Sequence, residues 1–158
     1  MLINFFLSRR WLLHLLNLLL IFIYAFYINR ISGNYGVVPP DSFGHFDTSY
    51  LINKNIFPIR DYWMNSGFLI NFIQSYFFYF FGTNWQSYVL HASFFNALIA
   101  FSSYLFFIKL KINCKYSFIY TVCVATLFYP TIGTPSEYFH SSIFSLISIY
   151  SFIICYLE

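Results

Sequence analysis

A chain of 158 residues that is 59% apolar and only 8% charged is too poor in charge for a water-soluble domain, where about 25% is usual. Its net charge of +3 does not mark a nucleic-acid binder. The basic residues are scattered or flank apolar runs, where they set membrane topology instead. The expected fold class is an all-α membrane protein, a polytopic transmembrane helical bundle.

Met1 to Arg10 is short and ends in the pair Arg9-Arg10. Trp11 to Ile28 is almost wholly apolar and long enough to span a bilayer. No small-residue cleavage site follows, so an uncleaved first span is expected, with the arginine pair keeping the N-terminus cytoplasmic. His14 and Asn17 are three residues apart and share one face, which predicts a helix–helix contact.

Residues 31–65 carry Asp41, Asp47 and Asp61, three of the five acids in the chain. An ionised carboxylate in hydrocarbon costs roughly 3 kcal/mol. This stretch is therefore expected in water or along a polar cavity, as a long first external loop containing short interfacial helices. It opens with the turn formers Ser32, Gly33, Asn34 and Gly36, then Pro39-Pro40. Asp41-Ser42 directly after the prolines predicts a helix start with Asp41 near the N-cap. His45 then lies one turn on from Asp41 on the same face, whereas Asp47 need not point that way. Pro58 ends any helix, and Arg60-Asp61-Tyr62-Trp63 follows. Phe57, Tyr62 and Trp63 read as interface anchors ahead of sugar platforms.

Gly67 to Phe81 is a short apolar run carrying Asn71, Gln74 and Ser75, and Gly82-Thr83-Asn84 breaks it. Tyr88 to Leu110 is long, with His91 and Asn96 as polar interruptions. Lys109, Lys111 and Lys115 cluster in a hairpin. Tyr116 to Tyr129 is apolar up to Pro130. Residues 131–142 form a second polar loop holding Glu137 and His140, and Ile143 to Leu157 is apolar again. Cys114, Cys123 and Cys155 have no metal-ligand spacing, and those within apolar runs are expected to be buried thiols.

If every apolar run crosses, the lysine hairpin falls on the outer face, against the positive-inside rule. The conflict disappears if Gly67 to Phe81 does not cross. That run is short, bears a glutamine, and is rich in aromatics suited to an interface. The lysines are then cytoplasmic, and the Glu137 loop shares a side with Asp41.

Acids confined to loops on an uncharged scaffold are functional candidates. Carboxylates serve as a general base or as ligands of a hard divalent cation, and a guanidinium such as Arg60 suits a phosphate. Plainer readings stand beside these. Asp61 fits a local ion pair or an N-cap, Asp47 an N-cap or a solvated face, and Glu137 and His140 ordinary loop positions.

Four segments fall in a recognisable order: Pro40-Asp41-Ser42, Asn55 to Trp63 (NIFPIRDYW), Ser66-Gly67-Phe68-Leu69 and Phe81-Gly82. Gly133 to Glu137 and His140-Ser141 follow later. In order and spacing the chain resembles the N-terminal part of the GT-C class of glycosyltransferases. These are multi-spanning enzymes with a polyprenyl-phosphate-linked sugar donor, here of the mannosyltransferase or aminoarabinose-transferase kind. It departs from them at Ser42, where an acidic pair is common, at Asn55 in place of glycine, and at Tyr138, where an acid is expected.

The resemblance implies an inverting sugar transfer at the non-cytoplasmic face of a bacterial inner (plasma) membrane. Asp41 would be catalytic, and Arg60, Asp61, Asp47 and His45 would bind substrate or phosphate. Asp41, Glu137 and His140 would hold a Mg or Mn ion. The implied partners are the lipid-linked donor and membrane lipids, with no nucleic acid. Residues 1–158 would form a single N-terminal transmembrane region of a longer enzyme. The alternative is a non-catalytic polytopic protein, a transporter or an assembly subunit, whose loop acids are structural or bind ions.

Overall fold

The computed structural model describes residues 9–35, 40–64 and 67–157, with backbone alone at 9, 10 and 40–42. It contains six α-helices: α1 (Arg9–Tyr35), α2 (Pro40–Asn53), α3 (Leu69–Phe81), α4 (Trp85–Lys109), α5 (Cys114–Leu127) and α6 (Glu137–Leu157). A 3-10 turn, Tyr129–Thr131, sits between α5 and α6, and no named strand occurs among the described residues.

Three helices are long and apolar enough to cross a membrane: α1 from Trp11, α4 and α6. At about 1.5 Å per residue they exceed a hydrocarbon core of about 30 Å. The 13 residues of α3 reach only about 20 Å. Local chemistry sets the ends. Pro40 opens α2, where a missing N–H is harmless. Asn84 caps α4 by accepting from Ser87 N at 2.9 Å, and Asn113 caps α5 by accepting from Lys115 N at 3.0 Å. Gly82, at φ 82°, closes α3.

Side-chain contacts fix the directions of the helices. Near the start of α1, His14 Nδ1 lies 2.9 Å from Tyr104 Oη, and Asn17 donates to Tyr104 Oη and to Cys114 Sγ, each at 3.1 Å. This is the helix–helix contact expected from their spacing. At the other end of α1, Arg30 donates to Gln86 Oε1 at 2.6 Å, and Ser32 Oγ donates to Pro130 O. Hence α1 and α5 run one way, and α4 and α6 the other. The lysine turn lies at the end where α1 starts. The α2–α3 pair lies at the opposite end, with the start of α6. The side-chain contacts of α3 with α4 fall on Ser87, Tyr88, His91 and Phe94, in the first half of that helix.

The interior is built for close approach. Ile21, Ala25, Ala97, Ala100, Tyr104 and Ala125 form one buried cluster where α1, α4 and α5 meet. Three of these helices touch through alanine, which lets backbones approach. A second cluster, Ala92, Phe95, Ile99, Tyr129 and Ile143, joins α4 to α6. By contrast, α1 and α6 leave rows of large apolar side chains outward, including Leu12, Leu16, Leu19, Ile149 and Phe152. Cys123 and Cys155 lie on such outward faces and are exposed, which corrects the expectation of buried thiols. An apolar run in a membrane-length helix does not distinguish its inward from its outward face.

Candidate functional site

The site begins with α2. His45, Ser49 and Ile52 recur every three or four residues and turn inward with Thr48, while Asp47 is exposed. The backbone of Asp41 lies in the first turn of this helix, one turn before His45, and its side chain lies outside the described residues.

His45 is held from both sides. Its Nδ1 is 2.9 Å from Asn71 Oδ1 on α3. The amide nitrogen of Asn71 turns away to Met64 Sδ at 3.6 Å, so Nδ1 carries the proton and donates. Its Nε2 meets Glu137 Oε2. The side chain of His45 is 7% exposed and that of Glu137 is 34% exposed. Glu137 is the first residue of α6, where the helix dipole favours a negative charge. The contact joins an imidazole nitrogen of α2 to a carboxylate oxygen at the start of α6.

One turn further along α6 a second chain starts. Tyr129 Oη lies 2.7 Å from His140 Nδ1, His140 Nε2 lies 2.9 Å from His91 Nε2, and His91 Nδ1 lies 2.7 Å from Gln74 Oε1. Gln74 Nε2 in turn donates to Ser87 O at 3.5 Å. His140 Nδ1 also lies 3.0 Å from Ser136 O, a carbonyl that can only accept, and Ser136 N donates to Tyr129 Oη at 3.2 Å. Burial pushes the Tyr129 phenol well above its usual range, so it remains a donor.

Glu137, His140 and Ser141 line a cavity of about 250 Å³ whose other walls are Gly67, Leu69, Ile70, Ile73 and Phe144. The cavity lies between α3 and α6, and its lining surface is mostly apolar.

Arg60 and Asp61 sit elsewhere. Arg60 Nη2 donates to Asp61 Oδ2 and to Asn55 O, each at 2.6 Å. Phe57 N donates to Asp61 Oδ2 at 2.7 Å. The Arg60 guanidinium, and then the Phe57 N–H, hold the Asp61 carboxyl below the usual carboxylate range. The same hydrogen bond raises the Arg60 pKa. Asn55 lies past the last turn of α2, and Asp41 lies in its first. The length of α2 from Asp41 to Asn53, about 18 Å along its axis, therefore separates the two groups. The fold brings Glu137 to His45 and does not bring Arg60 to Asp41.

A hard divalent cation takes six or more oxygen ligands. Glu137 Oε2 is occupied by His45, and both nitrogens of His140 are occupied by Tyr129 and His91. No group of three His, Cys, Asp or Glu side chains is gathered for a metal among the described residues. Asp41, the other expected ligand, has its side chain outside the described residues.

Sequence reasoning picked out His45, Glu137 and His140 and noted Asn71, Gln74 and His91 as interruptions, but did not link them. Tyr129 was not singled out among the 15 tyrosines. A polar side chain inside an apolar run is the one signal that marks most of this network. Comparison with protein-family models, with curated proteins and with solved structures gives no match.

Proposed function

We propose that the chain is the N-terminal portion of an integral-membrane glycosyltransferase of the GT-C type. It would transfer a sugar from a polyprenyl-phosphate-linked donor at the non-cytoplasmic face of a bacterial inner membrane. In this reading α1, α4, α5 and α6 form a polytopic bundle with the N-terminus and the lysine turn cytoplasmic. The α2–α3 pair is the first external loop and does not cross.

One observation carries the reading. Glu137, at the start of α6, contacts His45 on α2, one helical turn after Asp41. Two acids far apart in sequence thus belong to one end of the bundle, beside a mostly apolar cavity. Asp41 takes the proton of the acceptor hydroxyl or amine as the sugar–phosphate bond breaks. The His45–Glu137 contact lies one helical turn from the Asp41 backbone, at the same end of the bundle. The apolar bundle keeps the donor's prenyl tail in the bilayer.

The test is sugar transfer in membranes carrying the whole protein, with Asp41→Asn and Glu137→Gln. Loss of a general base lowers the rate by about 10²–10⁴-fold, so Asp41→Asn is expected to abolish measurable transfer while protein level and insertion persist. Normal transfer by Asp41→Asn would remove the assignment.

A second reading has its own support. Glu137, Asp61, His91 and His140 each have hydrogen-bond partners within the chain, as the acids and histidines of a non-catalytic transporter or assembly subunit would. It predicts that glycan products are unchanged in Asp41→Asn.

A further inference from the structure

The loop after α2 is strained and holds Arg60 in place. Ile59 has φ 72° and Asn55 φ 62°. A β-branched residue rarely adopts such a backbone, and it persists only where its surroundings impose it. Ile59 is 76% exposed, so burial does not repay the strain. The loop is held by Ile59 N donating to Tyr62 O at 2.8 Å and Asp61 N donating to Phe57 O at 2.9 Å. The result is a fixed Arg60. Its Nε and Nη2 are taken by Asp61 and Asn55, and its guanidinium carbon stands 4.8 Å from the centre of the Phe57 ring. The Nη1 hydrogens remain for an acceptor from outside.

Beside this arginine, between α2 and α3, lies a cavity of about 240 Å³. Its walls include Ile52, Phe57, Phe72, Tyr76, Tyr79 and Phe80. Lys54 follows the lining residue Asn53 and holds its ammonium 5.5 Å from the centre of the Tyr50 ring. The stretch from Asn53 to Trp63 carries Lys54 and Arg60 against Asp61, a net charge of +1 (two positive, one negative). The cavity uses a different face of α3 from the one that faces Glu137. Phe72, Tyr76 and Tyr79 are centred about 100° round the helix from Leu69, Ile70 and Ile73.

We propose that this cavity binds an anionic bilayer phospholipid, with its phosphate on the Nη1 edge of Arg60, in a stretch that also carries Lys54, and the start of an acyl chain against the aromatic wall. Charge complementarity selects a phosphate, and the aromatic lining selects an amphiphile over a free ion. The place fits as well. The loop lies at one end of three membrane-length helices, the level at which head groups occur. Its walls lie on a different face of α3 from the one beside Glu137, so the occupant is assigned as a resident lipid and not as the reacting donor. The inference rests on the membrane part of the proposed function and is independent of sugar transfer.

Native mass spectrometry of the detergent-solubilised whole protein, titrated with phosphatidylglycerol and with phosphatidylcholine of the same chains, tests it. The wild type is expected to retain phosphatidylglycerol about tenfold more tightly. Arg60→Gln should bring the two lipids within about twofold of each other. Tyr79→Ala should weaken both and keep the preference. Lys54→Gln, which leaves the strained loop untouched, should lower the preference partway. A preference unchanged in both Arg60→Gln and Lys54→Gln overturns the proposal. So does inorganic phosphate displacing the lipid at equal concentration, because the site would then read the phosphate alone. Transfer activity, measured separately, can fail while this binding holds, and the reverse.

Discussion

His140 Nε2 lies 2.9 Å from His91 Nε2, so one of the two facing nitrogens carries the proton and the other accepts it. Two imidazolium rings would set N–H against N–H. His91→Phe keeps the stacking with Phe77, whose ring is 4.9 Å away, but leaves His140 Nε2 and Gln74 Oε1 without this partner. Each such orphan costs about 1–3 kcal/mol. Unfolding in detergent should show His91→Phe and His140→Phe each destabilised by about that amount. The double variant should lose less than the sum by about 1 kcal/mol. Additive losses would mean that the two rings are not coupled.

Gly33 and Gly133 touch backbone to backbone. A Cβ on Gly33 would meet Gly133 O and Val89 Cγ1, each at 2.6 Å, and Gly133 has φ 77°. Neither backbone can give way cheaply, so Gly33→Ala should destabilise by about 1–3 kcal/mol. Gly44, within α2, has nothing within 4 Å of its added Cβ. Gly44→Ala should therefore stabilise by about 0.5–1 kcal/mol through helix propensity. Opposite signs for the two alanines in one melting series are the expected result.

The Arg60–Asp61 loop should depend on pH in one direction only. The Asp61 carboxyl is held below its ordinary value of 3.8, so its pairing contributes fully above that value. The contribution is lost as pH falls through the lower folded value. Hydrogen exchange at Phe57 N, which donates to Asp61, should stay protected from neutral pH down to the ordinary carboxylate range and become unprotected only below it. Loss of protection near pH 6 would show that another group governs the loop.

Reporter fusions after Lys111 and after Glu137 should fall on opposite sides of the membrane, with Lys111 on the side of the N-terminus. The contacts of α1 with Tyr104, Cys114, Gln86 and Pro130 require that arrangement in any membrane that the bundle spans. Both reporters on one side would mean that α6 enters from the other end.

Much of the helical layout was legible without coordinates. The prolines before Asp41, the Gly82–Asn84 break and the lysine turn each mark an element boundary through backbone chemistry that acts within a few residues. The shortness of Gly67 to Phe81, with its glutamine, singled out the one run that stays at one end of the bundle. The polar network was harder to see. Nothing within α4 distinguishes His91, which bonds to α3 and α6, from Asn96, which donates to Ala25 O on α1 and Ala125 O on α5 at 2.8 and 2.9 Å. Both read only as polar residues in an apolar run. The face that a membrane-length helix turns inward is set by its neighbours, since its outward face is equally apolar.

Composition and local order alone determined that this is a chain of apolar helices with four of its five acids gathered in two polar stretches. Charge is expensive in hydrocarbon, and turns and caps are local. Tertiary structure alone decided that Glu137 meets His45, that His91 meets His140, and that Arg60 stands a helix-length from Asp41. Those pairings depend on how helices distant in sequence cross, through side-chain packing that no single segment encodes.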